Sequence, residues 1–257
     1  MTRTVDPSEI TTEVRDGIAT VTLNRPRLNI LDPALLRSMD AALESLEARN
    51  EWRVLVLRGT SQAFSAGVAV EDHLPDRIED TLRSFHALLR RVESFDRPTI
   101  AAVRGHCLGG GMELAMACDL VVAAETATFG QPEIGLAAIP PYAVARYGRL
   151  VGPRRAFLDL ATGRTFPATE AMAAGYLTAC VPEAALDGWV EKMTEVLAGH
   201  SRVAMAVLKR ALREEREGDP FQAAERRYVR ELARTPDAVE GLRAFLEKRP
   251  PQWGSAR

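Results

Sequence analysis

Three short apolar runs constrain this chain more than any other feature: RVLVLRG at residues 53–59, TIAAVRG at 99–105 and DLVVAA at 119–124. Each is aliphatic at its centre and reads as a strand. Stretches of helical period separate most of them, residues 79–92 for example. Such alternation predicts an α/β domain with substantially parallel strands, because parallel neighbours need a crossover connection. GIATVTLNRP, at 17–26, alternates apolar and polar residues before a proline and reads as a half-buried strand. Asp32-Pro33 reads as an N-cap and first helical position, and Leu35, Leu36, Met39, Leu43 and Leu46 give the helix behind it one apolar face.

From about Leu186 the strand signal stops. GWVEKMTEVLAGH, SRVAMAVLKRALREE, PFQAAERRYVREL and PDAVEGLRAFLEK are all helical in period, dividing the chain into a core over residues 1–190 and a helical part over 191–257. The beginning, MTRTVDPSEI, lacks the apolar segment of a secretory signal, and no run approaches the roughly 20 apolar residues that span a bilayer. A cytoplasmic location is the expectation, with no membrane partner. The net charge of −2 leaves no electrostatic footprint for nucleic acid. Cys107, Cys118 and Cys180 form no CxxC pair and suit a reducing compartment.

Several chemistries lack their motifs. The glycines at 109–111 are no dinucleotide fingerprint, since Leu114 stands where a third spaced glycine is required. Neither a phosphate-binding GxxxxGK[ST] nor a GxSxG nucleophile elbow occurs. His73, His86, His106 and His200 show no metal-ligand spacing and read as surface or internally satisfied histidines, so no metal site is expected. Acid–base work would fall to carboxylates.

Two stretches rich in small residues could present main-chain donors. Ser65-Ala66-Gly67 follows the strand at 53–58, and little side-chain bulk blocks a ligand from its N–H groups. Gly109-Gly110-Gly111 opens the helix MELAMA, where N–H groups have no intrahelical partner. Two such donors converging on one oxygen make an oxyanion hole; either turn alone reads as a plain tight turn of no chemical use. Glu113 lies inside an apolar run with no basic residue in it, and Glu133 is isolated likewise in FGQPEIGLAAIPP. Burying an unpaired carboxylate is costly and raises its pKa. A pair of them beside a candidate oxyanion hole suits general acid–base chemistry.

AFSAGVAVED, VRGHCLGGGMELAMACDLVVAAETATFGQPEIGL and EGLRAFLEKRPPQW together resemble the crotonase (enoyl-CoA hydratase/isomerase) family, over nearly the whole chain. The resemblance implies a spiral of ββα units followed by a helical trimerisation region, assembled as a homotrimer or a dimer of trimers. It implies an acyl-CoA thioester substrate, with coenzyme A part of that substrate and no separate cofactor. Val68 and Gly110 match the oxyanion-hole donors, and Glu113 and Glu133 the two glutamates that hold the reacting water in hydratases. Ala66, Arg27 and Leu28 match positions near the CoA adenine and phosphates. Phe245 and Lys248 match residues that reach CoA, often from a neighbouring subunit. Both glutamates being present, hydration of an enoyl-CoA is the expected reaction; isomerisation or hydrolysis on the same scaffold, or RNA binding without catalysis, are the alternatives.

Two departures from the family pattern stand out. Ala69 replaces an aspartate common after the first oxyanion residue, and Pro141, Tyr142, Ala143 and Val144 replace a glycine-rich run. The proline here and the compact RPRLNILD resemble the subgroup hydrating cyclic dienoyl-CoA esters, such as cyclohexa-1,5-diene-1-carbonyl-CoA. Tyr142 is then expected either to shape an acyl pocket for a cyclic substrate or simply to fill the core.

Overall fold

The computed structural model describes residues 9–214, Glu225 and residues 228–252. The chain opens with the hairpin β1 (Ile10–Arg15) and β2 (Ile18–Leu23), then α1 (Pro33–Glu47). Three units of similar plan follow: β3 (Val54–Arg58), β4 (Ala63–Ser65) and α2 (Ile78–Ser94); β5 (Thr99–Val103), β6 (His106–Leu108) and α3 (Gly110–Met116); β7 (Leu120–Ala124), β8 (Thr128–Gly130) and α4 (Pro141–Val151). Then come α5 (Pro153–Thr162), β9 (Thr165–Pro167), α6 (Ala168–Ala173), β10 (Ala179–Val181), α7 (Leu186–Ala198), α8 (Arg202–Glu214) and, after a helical turn at Tyr228–Leu232, α9 (Pro236–Leu246).

In each unit the first strand joins one sheet and the second joins another. The larger sheet runs β1-β2-β3-β5-β7-β10 and the smaller β4-β6-β8-β9. Beyond the β1–β2 hairpin and the β8–β9 pair, every pairing is parallel. This is the ββα spiral that the resemblance implies. The buried pattern along β2 alternates, whereas Val54 to Leu57 of β3 are buried on both faces. The expected cap is present: Asp32 Oδ1 accepts from the N–H groups of Ala34 at 3.1 Å and Leu35 at 2.9 Å, a contact of about 1 kcal/mol. The five residues of the expected apolar stripe on α1 are all buried.

Residue 190 falls within α7, which covers the outer face of the larger sheet through Leu186, Trp189, Val190, Met193 and Leu197. By packing, α7 therefore belongs with the core, and the change of character comes after it. The helix expected over PFQAAERRYVREL lies largely outside the described residues, which take in only Glu225 and the turn from Tyr228 onward. No described helix is long and apolar enough to cross a membrane.

Candidate active site

The loop after β2 straps down the first small-residue turn. Asn29, fully buried, donates from Nδ2 to the carbonyls of Ala63 at 2.9 Å and Phe64 at 3.0 Å. Ser65 Oγ donates to the Asn29 carbonyl at 2.8 Å and accepts from Gly67 N–H at 3.1 Å. Further along, Leu31 N–H bonds to the Gly67 carbonyl at 2.9 Å and Ala69 N–H to the Leu31 carbonyl at 3.3 Å. In such a parallel bridge the residue between the two bonded groups turns its own N–H to the opposite side. For Val68 that side is a cavity of about 340 Å³.

The second turn meets the first across this cavity. Gly110 is the first residue of α3, so its N–H has no intrahelical acceptor. A methyl group added to Gly110 would lie 2.9 Å from Val68 Cγ2 and 3.3 Å from Val68 N, which shows how closely the two donors approach. Gly109 holds φ at +51°, and a methyl group there would lie 2.6 Å from Glu133 Oε1. Both the backbone conformation and the proximity of that carboxylate require glycine.

Glu113 and Glu133 both line the cavity. Glu113, 3% exposed, sits inside α3 and accepts from the Ala143 N–H at 2.9 Å. Burial raises its pKa to about 7, against the pull of the Ala143 and Tyr142 N–H groups. Glu133 stands on the turn Pro132–Leu136 and keeps one side open to the cavity, though protein surrounds the rest of its carboxylate. Burial, then the charge of Glu113, raises it to about 8. Among the described residues neither glutamate forms an ion pair; Gln131, with its amide nitrogen turned toward the carboxylate, donates to Glu133 Oε1 and Oε2 at 3.3 and 3.2 Å. The isolated carboxylates of the sequence thus share one dry wall, held by neutral donors that leave their pKa values high.

Other expected contacts are distributed unevenly. Ala66 lines the cavity, and its N–H bonds to the Leu28 carbonyl at 2.9 Å, which places Leu28 and the exposed Arg27 beside the opening rather than in the lining. Phe245 of α9 borders the cavity of its own chain, and Lys248 follows outside the lining, its N–H bonded to the Phe245 carbonyl at 3.1 Å.

Tyr142 departs from the pocket-shaping expectation. Its ring is 1% exposed and its hydroxyl donates to Glu93 Oε1 at 2.7 Å, beside Arg146. The side chain therefore points into the core, and Pro140 and Pro141 border the cavity instead. The reason is helical geometry: with Pro141 opening α4, the N–H groups of Tyr142 and Ala143 turn to Glu113 while the Tyr142 ring leaves on the inner face. His73 reverses another expectation, since it lines the cavity. Gln131, the Ala143 N–H and Tyr228 were not singled out in the sequence. A main-chain donor carries no residue identity, and Tyr228 reaches the site from far along the chain. Among the described residues no group of three or more His, Cys, Asp or Glu could hold a metal ion.

The chain is similar to known proteins over nearly its whole length. A family described as Enoyl-CoA hydratase/isomerase matches residues 13–256. A probable mitochondrial enoyl-CoA hydratase of Dictyostelium discoideum is 36% identical over 255 residues, covering 95% of this chain and 90% of its own. Cyclohexa-1,5-dienecarbonyl-CoA hydratase of Thauera aromatica is 37% identical over 243 residues, covering 93% and 94%. The crystal structure of an enoyl-CoA hydratase from Mycobacterium avium subsp. paratuberculosis superposes with a TM-score of 0.85 at 28% identity, covering 96% of this chain and 99% of that one.

Proposed function

The chain belongs to the enoyl-CoA hydratase/isomerase family, and from that premise we propose that it adds water across the 2,3 double bond of an enoyl-CoA thioester through its two main-chain donors and its glutamate pair. The observation that carries this reading is the placement of Glu113 and Glu133 in one cavity with Val68 and Gly110. The thioester carbonyl accepts from the N–H groups of Val68 and Gly110, which stabilise enolate charge as it develops on oxygen. Glu113, held by the Ala143 N–H, takes a proton from water as the water oxygen bonds to Cβ. Glu133, whose proton burial and the charge of Glu113 help retain, delivers it to Cα. Charge, proton and water are accounted for by the chain's own groups, and coenzyme A enters as part of the substrate.

Product analysis in ¹⁸O-labelled water tests this directly. Hydration labels a 3-hydroxy thioester; a labelled free acid would mean hydrolysis, and unlabelled product would mean isomerisation.

A cyclic acyl group is the finer proposal, supported by the likeness to the Thauera aromatica protein and by an acyl wall of Val70, Leu82, Phe85, Leu136 and Ile139. A higher kcat/KM for cyclohexa-1,5-diene-1-carbonyl-CoA than for crotonyl-CoA is expected, and preference for the linear ester would end it. Because the Tyr142 ring lies outside the lining, Tyr142→Phe should leave that ratio unmoved while lowering stability by about 1–3 kcal/mol through the lost Glu93 contact.

A homotrimer, or a dimer of trimers, is also proposed. On α8, Val203, Val207 and Leu212 are 73%, 52% and 62% exposed, apolar surface of the kind that an assembly would cover, which supports this reading. Sedimentation is expected to give an oligomer; a monomer at micromolar concentration would remove this proposal.

A further inference from the structure

His73 and Tyr228 each bring an unused polar atom to the lining of the cavity. His73 Nδ1 lies 3.0 Å from the Ala69 carbonyl. A carbonyl only accepts, so Nδ1 carries the proton and Nε2 of the neutral ring is left as an acceptor. Burial lowers the pKa of this imidazole, which favours that neutral form. Tyr228 is 1% exposed, and its hydroxyl has no hydrogen-bond partner among the described residues. Neither Nε2 nor the phenol oxygen is sealed inside the protein, so each opens onto space, and for Tyr228 that space is the cavity it lines. Burial and the charges of Glu133 and Glu113 hold the phenol protonated, a donor throughout the working pH range. The two residues come from separate segments, the turn Val70–His73 after the first oxyanion residue and the helical turn Tyr228–Leu232.

One free acceptor and one free donor in a lining that also includes Val70, Leu82, Phe85, Leu136 and Ile139 are both met by a partner able to donate and accept. Water can do so, but a purely aliphatic acyl chain would displace it and leave both groups unpaired. A hydroxyl replaces it. We propose that His73 and Tyr228 are specificity residues that read a hydroxyl group on the acyl portion of the enoyl-CoA substrate, the hydroxyl donating to His73 Nε2 and accepting from the Tyr228 O–H. This inference rests on the hydratase reading and goes beyond the cyclic one: ring or chain, the acyl group it names carries a hydroxyl, which cyclohexa-1,5-diene-1-carbonyl-CoA lacks. A site built to bond a hydroxyl discriminates strongly against the analogue lacking it.

The test compares hydration of hex-2-enoyl-CoA with that of its 5-hydroxy and 6-hydroxy derivatives. For the wild type, kcat/KM is expected to be about tenfold or more higher for one hydroxylated ester. That ratio should collapse toward one in Tyr228→Phe and in His73→Phe, and His73→Gln, which keeps an acceptor, should retain part of it. Equal kcat/KM for all three esters in the wild type, or a preference that survives both phenylalanine variants, would overturn the inference while leaving hydration intact. Failure of the wild type to hydrate any of the three would instead strike at the hydratase reading. The wild-type ratio needs no variant to fold.

Discussion

Glu113→Gln should lower kcat by about 10²–10⁴, the usual contribution of a positioned acid or base. The substitution keeps an oxygen to accept the Ala143 N–H at 2.9 Å, so the local structure has no reason to move. What disappears is the group that takes the proton from water. The pH profile separates this loss from a general defect. In the wild type, reaction needs Glu113 ionised and Glu133 protonated, so kcat/KM rises with pH through about 7 and falls above about 8. In Glu113→Gln the negative neighbour that helps raise Glu133 is gone, and the basic limb of the residual activity should move to lower pH. An unchanged kcat would remove Glu113 from the mechanism.

The same substitution has a stability signature of opposite sign. Folding raises the Glu113 pKa from an ordinary 4.5 to about 7. The folded state therefore holds a proton that the unfolded chain has released, and stability falls as pH rises from 4.5 through about 7. Glu113→Gln escapes that loss. Its Tm should exceed the wild type's at pH 8 and converge with it as the pH approaches 4.5, a behaviour that a misfolded variant would not show.

Gly110→Pro should cost about 10²–10³ in kcat, because it deletes one donor of the oxyanion hole. Proline is well tolerated at the first position of a helix, where Gly110 stands. Packing is the competing cause of any loss, since a Cβ there would lie 2.9 Å from Val68 Cγ2 and 3.1 Å from Phe85 Cζ. Gly110→Ala adds that atom yet keeps the N–H. A much smaller loss in the alanine variant than in the proline variant, with both folded, is the expected result. Equal losses would assign the effect to crowding and take Gly110 N–H out of the mechanism.

Much of the scaffold was legible because its determinants are local. The Asp32 cap, the stripe from Leu35 to Leu46 and the apolar runs of β3, β5 and β7 follow from spacing that any window of the sequence displays. The second sheet was not read, since β4, β6, β8 and β9 have three residues each, too few for a period to register. Glu113 and Glu133 stood out for a physical reason too: a carboxylate in an apolar run with no basic neighbour must be neutralised or used. Their supporting contacts carried no such signal. Asn29 reaches across to Ala63 and Phe64, and Ala143 bonds to Glu113 across thirty positions.

Tyr142 and His73 mark the boundary between the two kinds of information. Both sit beside residues of the site, and chain position alone left the tyrosine between pocket and core and put the histidine in the background. The structure decides both: the α4 backbone turns the Tyr142 ring to Glu93, and the turn at Val70–His73 brings the imidazole to the cavity. By itself the sequence determined which segments form strands and helices, which carboxylates lack partners and which turns are free of side-chain bulk, because these depend on neighbours along the chain. Only the tertiary structure decided that the two turns face one cavity, that the glutamates lie dry with the charge of Glu113 near enough to raise Glu133, and which side chains line that cavity. Those facts depend on the direction and distance of groups that are neighbours in space alone.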